Sequence, residues 1–147
     1  MRMKHEPSDA AVTAWARLVR AGQSVLEKIE AELKAADLPP LSWYDVLLEL
    51  SRTADGRLRP LELEQRTLLA QYNASRLIDR MVKAGLVERL PHPEDGRGQL
   101  VVITAEGRAM QKRVWKVYGP AIERHVGAKL RPAEAVELAR LLQKLIA

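Results

Sequence analysis

The 147-residue chain contains no cysteine. The absence of cysteine excludes disulfide bonds, thiolate zinc sites and any switch that works by thiol oxidation. The three histidines, His5, His92 and His125, are far apart in the sequence, and no two have the spacing of paired metal ligands. We therefore expect neither a metal site nor a cofactor.

Long apolar stretches are also missing. Nowhere do about 18 uncharged apolar residues follow one another, so no membrane-spanning helix is expected. The first seven residues carry positive charges, but no apolar stretch follows them, which argues against an export signal. These absences predict a cytoplasmic protein without membrane contact.

The usual signatures of an enzyme are absent as well. The chain has no glycine-rich phosphate loop and no pair of histidines at metal-ligand spacing, and its serines lie in helical patterns rather than at a strained turn. A chain of 147 residues fits one domain and leaves no room for a second, catalytic module. An enzyme is therefore the least favoured class of function.

The charge is what the sequence has in excess. The net charge is +5 and the pI is about 9.7, values that favour a polyanionic partner. The excess is strongest in residues 104–147, where nine Lys and Arg face four Asp and Glu. Charge alone therefore does not locate a binding surface.

Both ends of the chain have helical periodicity. Apolar or small residues recur every three or four positions across 8–36, which predicts a long amphipathic helix with Ser8 as its N-cap. Residues 104–147 predict two more helices, one capped by Thr104 and one starting at Pro132. Because stripes this long need a partner surface, we interpret both ranges as dimerisation helices.

The middle of the chain predicts three shorter helices. The first follows a capping box in which Ser42 is the N-cap and Asp45 the third helical residue. A short extended piece at 57–59 precedes a helix at 60–67. After a tight connection, another helix spans about 71–84. It ends at Gly85, where the backbone needs a left-handed conformation. This order is a helix, a short turn and a helix.

Two β-prone runs complete the central lobe. Residues 86–90 and 100–103 flank a segment rich in proline and glycine, which predicts a hairpin with a long exposed tip. The predicted fold is mainly α with a small β wing. It is a winged helix-turn-helix lobe over 41–103 within a single domain, 1–147, that also carries the N- and C-terminal dimerisation helices.

Four short segments stand in a family-specific order. They are Arg76-Leu77-Ile78-Asp79-Arg80-Met81, Gly85-Leu86-Val87-Glu88-Arg89, Pro93-Glu94-Asp95-Gly96-Arg97 and Ile103-Thr104-Ala105-Glu106-Gly107. Together with the order of elements, they resemble the MarR family of bacterial regulators over nearly the whole chain. The chain departs from the family before the second helix of the pair, where a glycine near Leu68 and a serine cap near Ala70 are missing.

The resemblance implies a sequence-specific transcriptional regulator. Such a protein binds a near-palindromic operator in double-stranded DNA as a homodimer, most often as a repressor, and a small aromatic or phenolic anion releases it. The alternative is a winged-helix module that binds another protein and has no DNA-binding activity. The polar residues expected on the second helix argue against that alternative, because protein interfaces favour an apolar, aromatic centre.

DNA-contact residues follow from the docking geometry of this motif. A reading helix presents its first residues to base edges in the major groove, while other cations hold phosphates. The predicted base-reading residues are Gln71, Tyr72, Asn73, Ser75 and Arg76, and the predicted backbone contacts are Arg57, Arg59, Arg80 and Lys83. At the wing tip, Arg97 is expected to enter a minor groove, and the resemblance implies Asp95 as its partner.

The same resemblance points to a ligand site. The segment around Trp43 is similar to the urate-responsive branch of the family. The candidate residues are Trp15, Trp43, Tyr44, Asp45 and Arg89. An aromatic anion would stack on Trp15 or Trp43 and pair with Arg89. The structural alternative assigns Trp15 to the dimer stripe and Asp45 to the capping box.

Overall fold

The computed structural model describes residues 5–67, 73–96 and 98–146. The chain divides into two compact units. The central unit is Leu33–Tyr118, and the terminal unit combines the residues up to Glu32 with those from Gly119 onward. Among the described residues, no helix is both long enough and apolar enough to cross a membrane.

Six α-helices, three strands and a short 3₁₀ helix at Gly127–Lys129 make up the described chain. In order, the α-helices and strands are α1 Asp9–Ala35, α2 Leu41–Arg52, β1 Arg57–Leu58, α3 Pro60–Arg66, α4 Ala74–Lys83, β2 Val87–Pro91, β3 Gln99–Ile103, α5 Ala105–His125 and α6 Pro132–Ile146. The strands form an antiparallel sheet in the order β1-β3-β2. This arrangement confirms the predicted fold class, a mainly helical protein with a small β wing.

The core of the central unit lies between α2, α3, α4 and the sheet. Alternate residues of β3 point inward, and each helix turns one apolar face toward them. The core residues are Val46, Leu47, Leu50, Leu58, Leu63, Ala74, Leu77, Ile78, Met81, Leu86, Val87, Val101 and Ile103. Full burial of a leucine or isoleucine side chain contributes about 1.5–3 kcal/mol, so this cluster dominates the stability of the unit.

A hydrogen-bonded junction joins the end of α4 to the start of α5. Gly85 has a φ of +78° and ends α4, as the sequence predicts. Thr104 donates its hydroxyl to the carbonyl of Gly85 over 2.6 Å and accepts the N–H of Gly107 over 3.0 Å. Gly107 lies so close to this junction that a Cβ there would be 2.2 Å from the carbonyl oxygen of Leu86.

The terminal unit has little core of its own. The predicted Ser8 cap of α1 is confirmed, since its Oγ accepts the N–H of Ala11 over 3.1 Å. Glu32 on α1 accepts from Nε2 of His125 over 2.6 Å and also pairs with Arg124, both near the end of α5. None of the described residues of α6 is buried.

The predicted capping box at the start of α2 is wrong. The helix begins at Leu41, one residue before the predicted cap, and its N-cap is Pro40, which makes no side-chain hydrogen bond. Pro40 has a ψ of 158°, and its carbonyl already accepts the N–H of Trp43 over 3.0 Å. Ser42 therefore lies inside the first turn, and Asp45 is not the third residue of a capping box.

The start of α4 also differs from the prediction. The helix begins at Ala74 rather than near residue 71, because Asn73 takes the N-cap position. Its Oδ1 accepts the N–H of Arg76 over 3.2 Å, the hydrogen bond that asparagine caps supply. The predicted tight connection at 68–70 lies outside the described residues.

Candidate nucleic-acid interface

Helix α4 has two faces of opposite character. Ala74, Leu77, Ile78 and Met81 are buried in the core of the central unit. The other face is exposed and polar. It carries Ser75, Arg76, Asp79, Arg80 and Lys83. The buried face fixes the helix on the unit, so the polar side chains are held in place for a partner.

Asn73 has a structural task at the start of this helix. Its side-chain oxygen caps α4, so one of the two lone pairs of that oxygen is already used by the helix. Pairing with both N6 and N7 of adenine needs the oxygen and the NH₂ together, so the oxygen of a capping Asn73 would have to accept from the helix and from the base at once. Gln71 and Tyr72, also predicted to read bases, lie outside the described residues.

Arg89 fastens the wing to α4. From β2, its guanidinium donates to Oε1 of Gln99 over 2.9 Å and to the carbonyl of Ser75 over 3.1 Å, and it forms a 3.0 Å ion pair with Asp79. The side chain is only 24% exposed. Arg89, which the sequence predicts as a ligand residue, therefore has a positioning role that the prediction missed. The opposite charges of Asp79 and Arg89 are the one sequence signal that could have suggested it.

The residues predicted to contact phosphates differ in whether they are exposed and whether an acidic side chain already pairs with them. Arg57 on β1 forms a 3.5 Å ion pair with Asp55. Arg80 and Lys83 are exposed in the last turns of α4. Arg59 lies between β1 and α3, where its N–H donates to Oε1 of Glu62, and its guanidinium faces the wing.

The wing tip is folded around His92. Its N–H donates to the carbonyl of Gly98 over 2.9 Å, which closes the loop, and its ring contacts Arg59. Glu94 and Asp95 are exposed on the loop. Arg97 lies outside the described residues, so the pairing of Asp95 with Arg97 stays a prediction.

The predicted ligand residues do not share one environment. Tyr44 is 4% exposed and packs in an aromatic cluster with Trp115 and Tyr118, at centroid distances of 6.4 and 5.1 Å. Burial raises the pKa of Tyr44. Trp43 packs against the core of the central unit, and Asp45 is half-buried.

Trp15 differs from the other candidates in its exposure. It lies in the terminal unit and is 66% exposed. The structure therefore buries Tyr44 and gives Arg89 protein partners, whereas Trp15 keeps a free aromatic face. Among residues 5–67, 73–96 and 98–146, no cluster of three or more His, Asp or Glu side chains could hold a metal ion.

A MarR family sequence model matches residues 36–98, the segment that contains α2, α3, α4 and most of the wing. The multiple antibiotic resistance protein MarR of Escherichia coli strain K12 is 33% identical over 89 residues. Over residues 36–98 this chain is similar to the MarR family. The aligned part covers 60% of the chain and 62% of that relative, so the chain matches less than two thirds of the relative's length.

Solved structures extend the similarity beyond the central unit. AbsC, a MarR family transcriptional regulator from Streptomyces coelicolor, superposes with a TM-score of 0.81 at 25% identity, covering 97% of this chain and 96% of AbsC. A mutant of Escherichia coli MarR, solved in complex with operator DNA, has a TM-score of 0.77 at 25% identity, and the match covers 97% of this chain and 100% of the mutant.

Proposed function

We propose that this protein is a transcriptional regulator that binds double-stranded DNA through α4 and the wing. The observation that carries the proposal is the exposed polar face of α4, held rigidly by its buried opposite face and by Arg89. An α-helix of this kind fits the major groove of B-form DNA. The DNA complex of the Escherichia coli MarR mutant, to which 97% of this chain is similar, supports the same mode of binding.

Sequence reading on this surface depends on a few side chains. Arg76 is exposed in the first turn of α4 and can pair with O6 and N7 of guanine, which discriminates bases by about 1–3 kcal/mol. Ser75 and the amide group of Asn73 add single hydrogen bonds. Arg80 and Lys83 are placed to hold phosphates, which set the register without reading sequence.

We further propose that the protein acts as a homodimer joined by its terminal helices. The described surface of α6 exposes large apolar side chains, with Val136 71%, Leu145 67% and Ile146 78% accessible. Exposed apolar surface of this extent marks an interaction site. A two-fold dimer presents two copies of α4, so its operator would be a near-palindrome with half-sites about one helical turn apart.

Repression is the regulatory effect that we propose. A dimer bound across two half-sites excludes other proteins from the same stretch of DNA, and chromosomal DNA as the target places the protein in the cytoplasm. A reporter gene behind the selected operator tests the direction of the effect. Expression that rises when the regulator is deleted indicates repression, and expression that falls contradicts it.

Release by a small aromatic or phenolic anion is a separate proposal. Trp43, which is half-buried and belongs to the same unit as Arg89, offers a ring for stacking, and Arg89 offers a charge. Since Asp79 already pairs with Arg89, an anion at that guanidinium has to replace Asp79 and would loosen α4 from the wing. Titration of tryptophan fluorescence with urate and salicylate tests this, and an unchanged signal with every acid contradicts it.

Selection of bound duplexes from random DNA tests the proposed function directly. The purified protein should enrich one near-palindromic sequence, and its affinity should fall steeply with the logarithm of the salt concentration. Arg76→Ala should weaken binding to the selected operator by roughly tenfold or more, with a smaller effect on unrelated duplexes. A protein that enriches no sequence and binds no duplex at low salt would support the protein-interaction alternative.

A further inference from the structure

The ring of His92 is fixed in one hydrogen-bonding state by its own loop. Its Nδ1 lies 3.1 Å from the backbone nitrogen of Glu94 and 3.3 Å from that of Asp95. Both backbone groups are N–H donors, so Nδ1 has to act as the acceptor. A neutral imidazole carries one hydrogen, which therefore sits on Nε2.

The other ring nitrogen faces a second donor. Nε2 of His92 is 3.0 Å from Nη2 of Arg59, and a guanidinium has no acceptor at all. With the hydrogen on Nε2, two N–H groups point into the same space and neither can accept from the other. Within residues 5–67, 73–96 and 98–146, no carboxylate lies within ion-pair distance of the Arg59 guanidinium.

We infer that Arg59 and His92 together bind one phosphate oxygen of the DNA backbone. This inference rests on the proposed function and adds His92 to the DNA-contacting residues. A phosphate oxygen carries negative charge and several lone pairs, so it can accept from both donors at once and relieve their repulsion. Arg59 stands beside β1 and His92 at the base of the wing tip, so the pair ties the wing to the DNA strand.

The surrounding residues keep both donors in place. The N–H of Arg59 donates to Glu62 over 3.0 Å, which fixes the backbone where its side chain begins. The Glu62 carboxylate also pairs with Arg66 on its own helix. The 2.9 Å hydrogen bond between the N–H of His92 and the carbonyl of Gly98 closes the wing loop, so the backbone that carries the ring is held in place.

Two substitutions of His92 test the contributions of its two ring nitrogens separately. In His92→Asn, the side-chain oxygen can still accept the N–H two residues on, as asparagine does in turns, but the Nε2 donor is lost. In His92→Gln, an amide NH₂ reaches the position of Nε2. We expect His92→Asn to weaken DNA binding about fivefold and His92→Gln to stay within about twofold of the wild type.

If Arg59 and His92 share one phosphate, their variants should also differ in the salt dependence and the additivity of DNA binding. Arg59→Ala should weaken binding about tenfold and lower the salt slope by about 1, whereas His92→Asn should leave the slope unchanged, because neutral His92 releases no counterion. The double variant should lose little more than Arg59→Ala alone. Both losses should be equal on operator and unrelated DNA, since phosphates carry no sequence.

The experiment measures these affinities by fluorescence anisotropy on duplexes scanned with neutral methylphosphonate linkages. One linkage should weaken the wild type but not the double variant, and nitrogen-15 NMR of His92 should show the hydrogen on Nε2. A hydrogen on Nδ1, or His92→Asn binding as tightly as the wild type, overturns the pair while DNA binding itself stands. A wild type that binds no duplex overturns the proposed function instead.

Discussion

The central and terminal units bury their apolar residues very differently. In the central unit, α2, α3, α4 and the sheet enclose a continuous core that includes Leu47, Leu63 and Met81 at 0% exposure. Of the buried hydrophobic side chains in the described chain, only Ile29 and Ala121 belong to the terminal unit. The central unit thus completes its core within one chain, whereas the terminal helices carry apolar surface that a second copy would cover.

The largest effect is expected from a charge on the apolar face of α6. Leu145 is 67% exposed, so Leu145→Glu costs a single chain little. In a dimer interface the same carboxylate would lose its water without gaining a partner, a cost of several kcal/mol. We expect a monomer by light scattering and a loss of operator affinity of at least 100-fold.

A second variant shows whether the effect of Leu145→Glu comes from its position on α6 or only from the added negative charge. Gln143→Glu places a carboxylate on the same helix, away from the side on which Leu138 and Leu145 lie, and should leave the dimer intact. Leu145→Glu that remains dimeric with wild-type affinity would show that α6 is not the interface. The difference between the two units would then need another explanation.

Alanine substitutions at two glycines, one in each unit, compare how tightly the two units are packed. Gly107→Ala in the central unit would place a Cβ 2.2 Å from the carbonyl oxygen of Leu86, so the junction between α4 and α5 has to shift. We expect a loss of about 3 kcal/mol in the free energy of unfolding, as for other overpacked sites. Urea denaturation followed by circular dichroism measures it.

Gly22 supplies the control for that substitution. It lies within α1, and a Cβ there would meet nothing within 4 Å in the single chain. Gly22→Ala should therefore stabilise the protein by about 0.5–1 kcal/mol through the lower entropy of its unfolded chain. If Gly22→Ala destabilises the protein as much as Gly107→Ala, the face of α1 around Gly22 is already tightly packed.

The third prediction concerns how firmly the wing is joined to the central core. Arg89→Ala removes the hydrogen bonds to Ser75 and Gln99 and the ion pair with Asp79. We expect about tenfold weaker operator binding, because the wing and α4 no longer keep a fixed distance. Anisotropy titration measures the affinity.

Glu88→Ala on the same strand is the control for Arg89→Ala, since its side chain is exposed. It should bind within about twofold of the wild type. Equal affinities for Arg89→Ala and the wild type would contradict the positioning role of Arg89. That result would return Arg89 to the set of candidate ligand residues.

The sequence predicts most of the elements because their signals are local. Periodic apolar residues, Pro60, Gly85 and Thr104 mark helices and their ends, and the structure has each of them where expected. The two errors concern caps, where near neighbours compete. Pro40 takes the N-cap position two residues before Ser42, and Asn73 caps α4, a role for which Ala70 has no side-chain acceptor.

The contacts of the candidate site are harder to predict because they join distant residues. Arg89 meets Ser75 and Asp79 only after the hairpin has folded back on α4, and Arg59 meets His92 across 33 residues of sequence. No local spacing specifies such contacts. The sequence therefore identifies candidate DNA-contacting residues, but not which of them the fold holds in place.

The smallest effect concerns the ion cluster that joins α1 to α5 within the terminal unit. His125 and then Arg124 hold the pKa of Glu32 below its usual value of 4.5. A carboxyl whose pKa is lowered by folding stabilises the native state above its unfolded pKa, and that contribution disappears as the pH falls through the lower, folded value. Glu32→Gln should therefore be slightly less stable than the wild type at pH 7, with a difference that shrinks below pH 4.5.

Thermal unfolding between about pH 3 and pH 7 measures this dependence, because the ionic contribution of a carboxylate ends within that range. Glu137→Gln is the control, since it removes only a local pair with Arg140 on α6 and should show a weaker dependence on pH. A gap between wild type and Glu32→Gln that stays constant throughout the acid range would mean that the cluster contributes no ionic link between α1 and α5. The apolar surface of the terminal helices would then be all that holds their unit together.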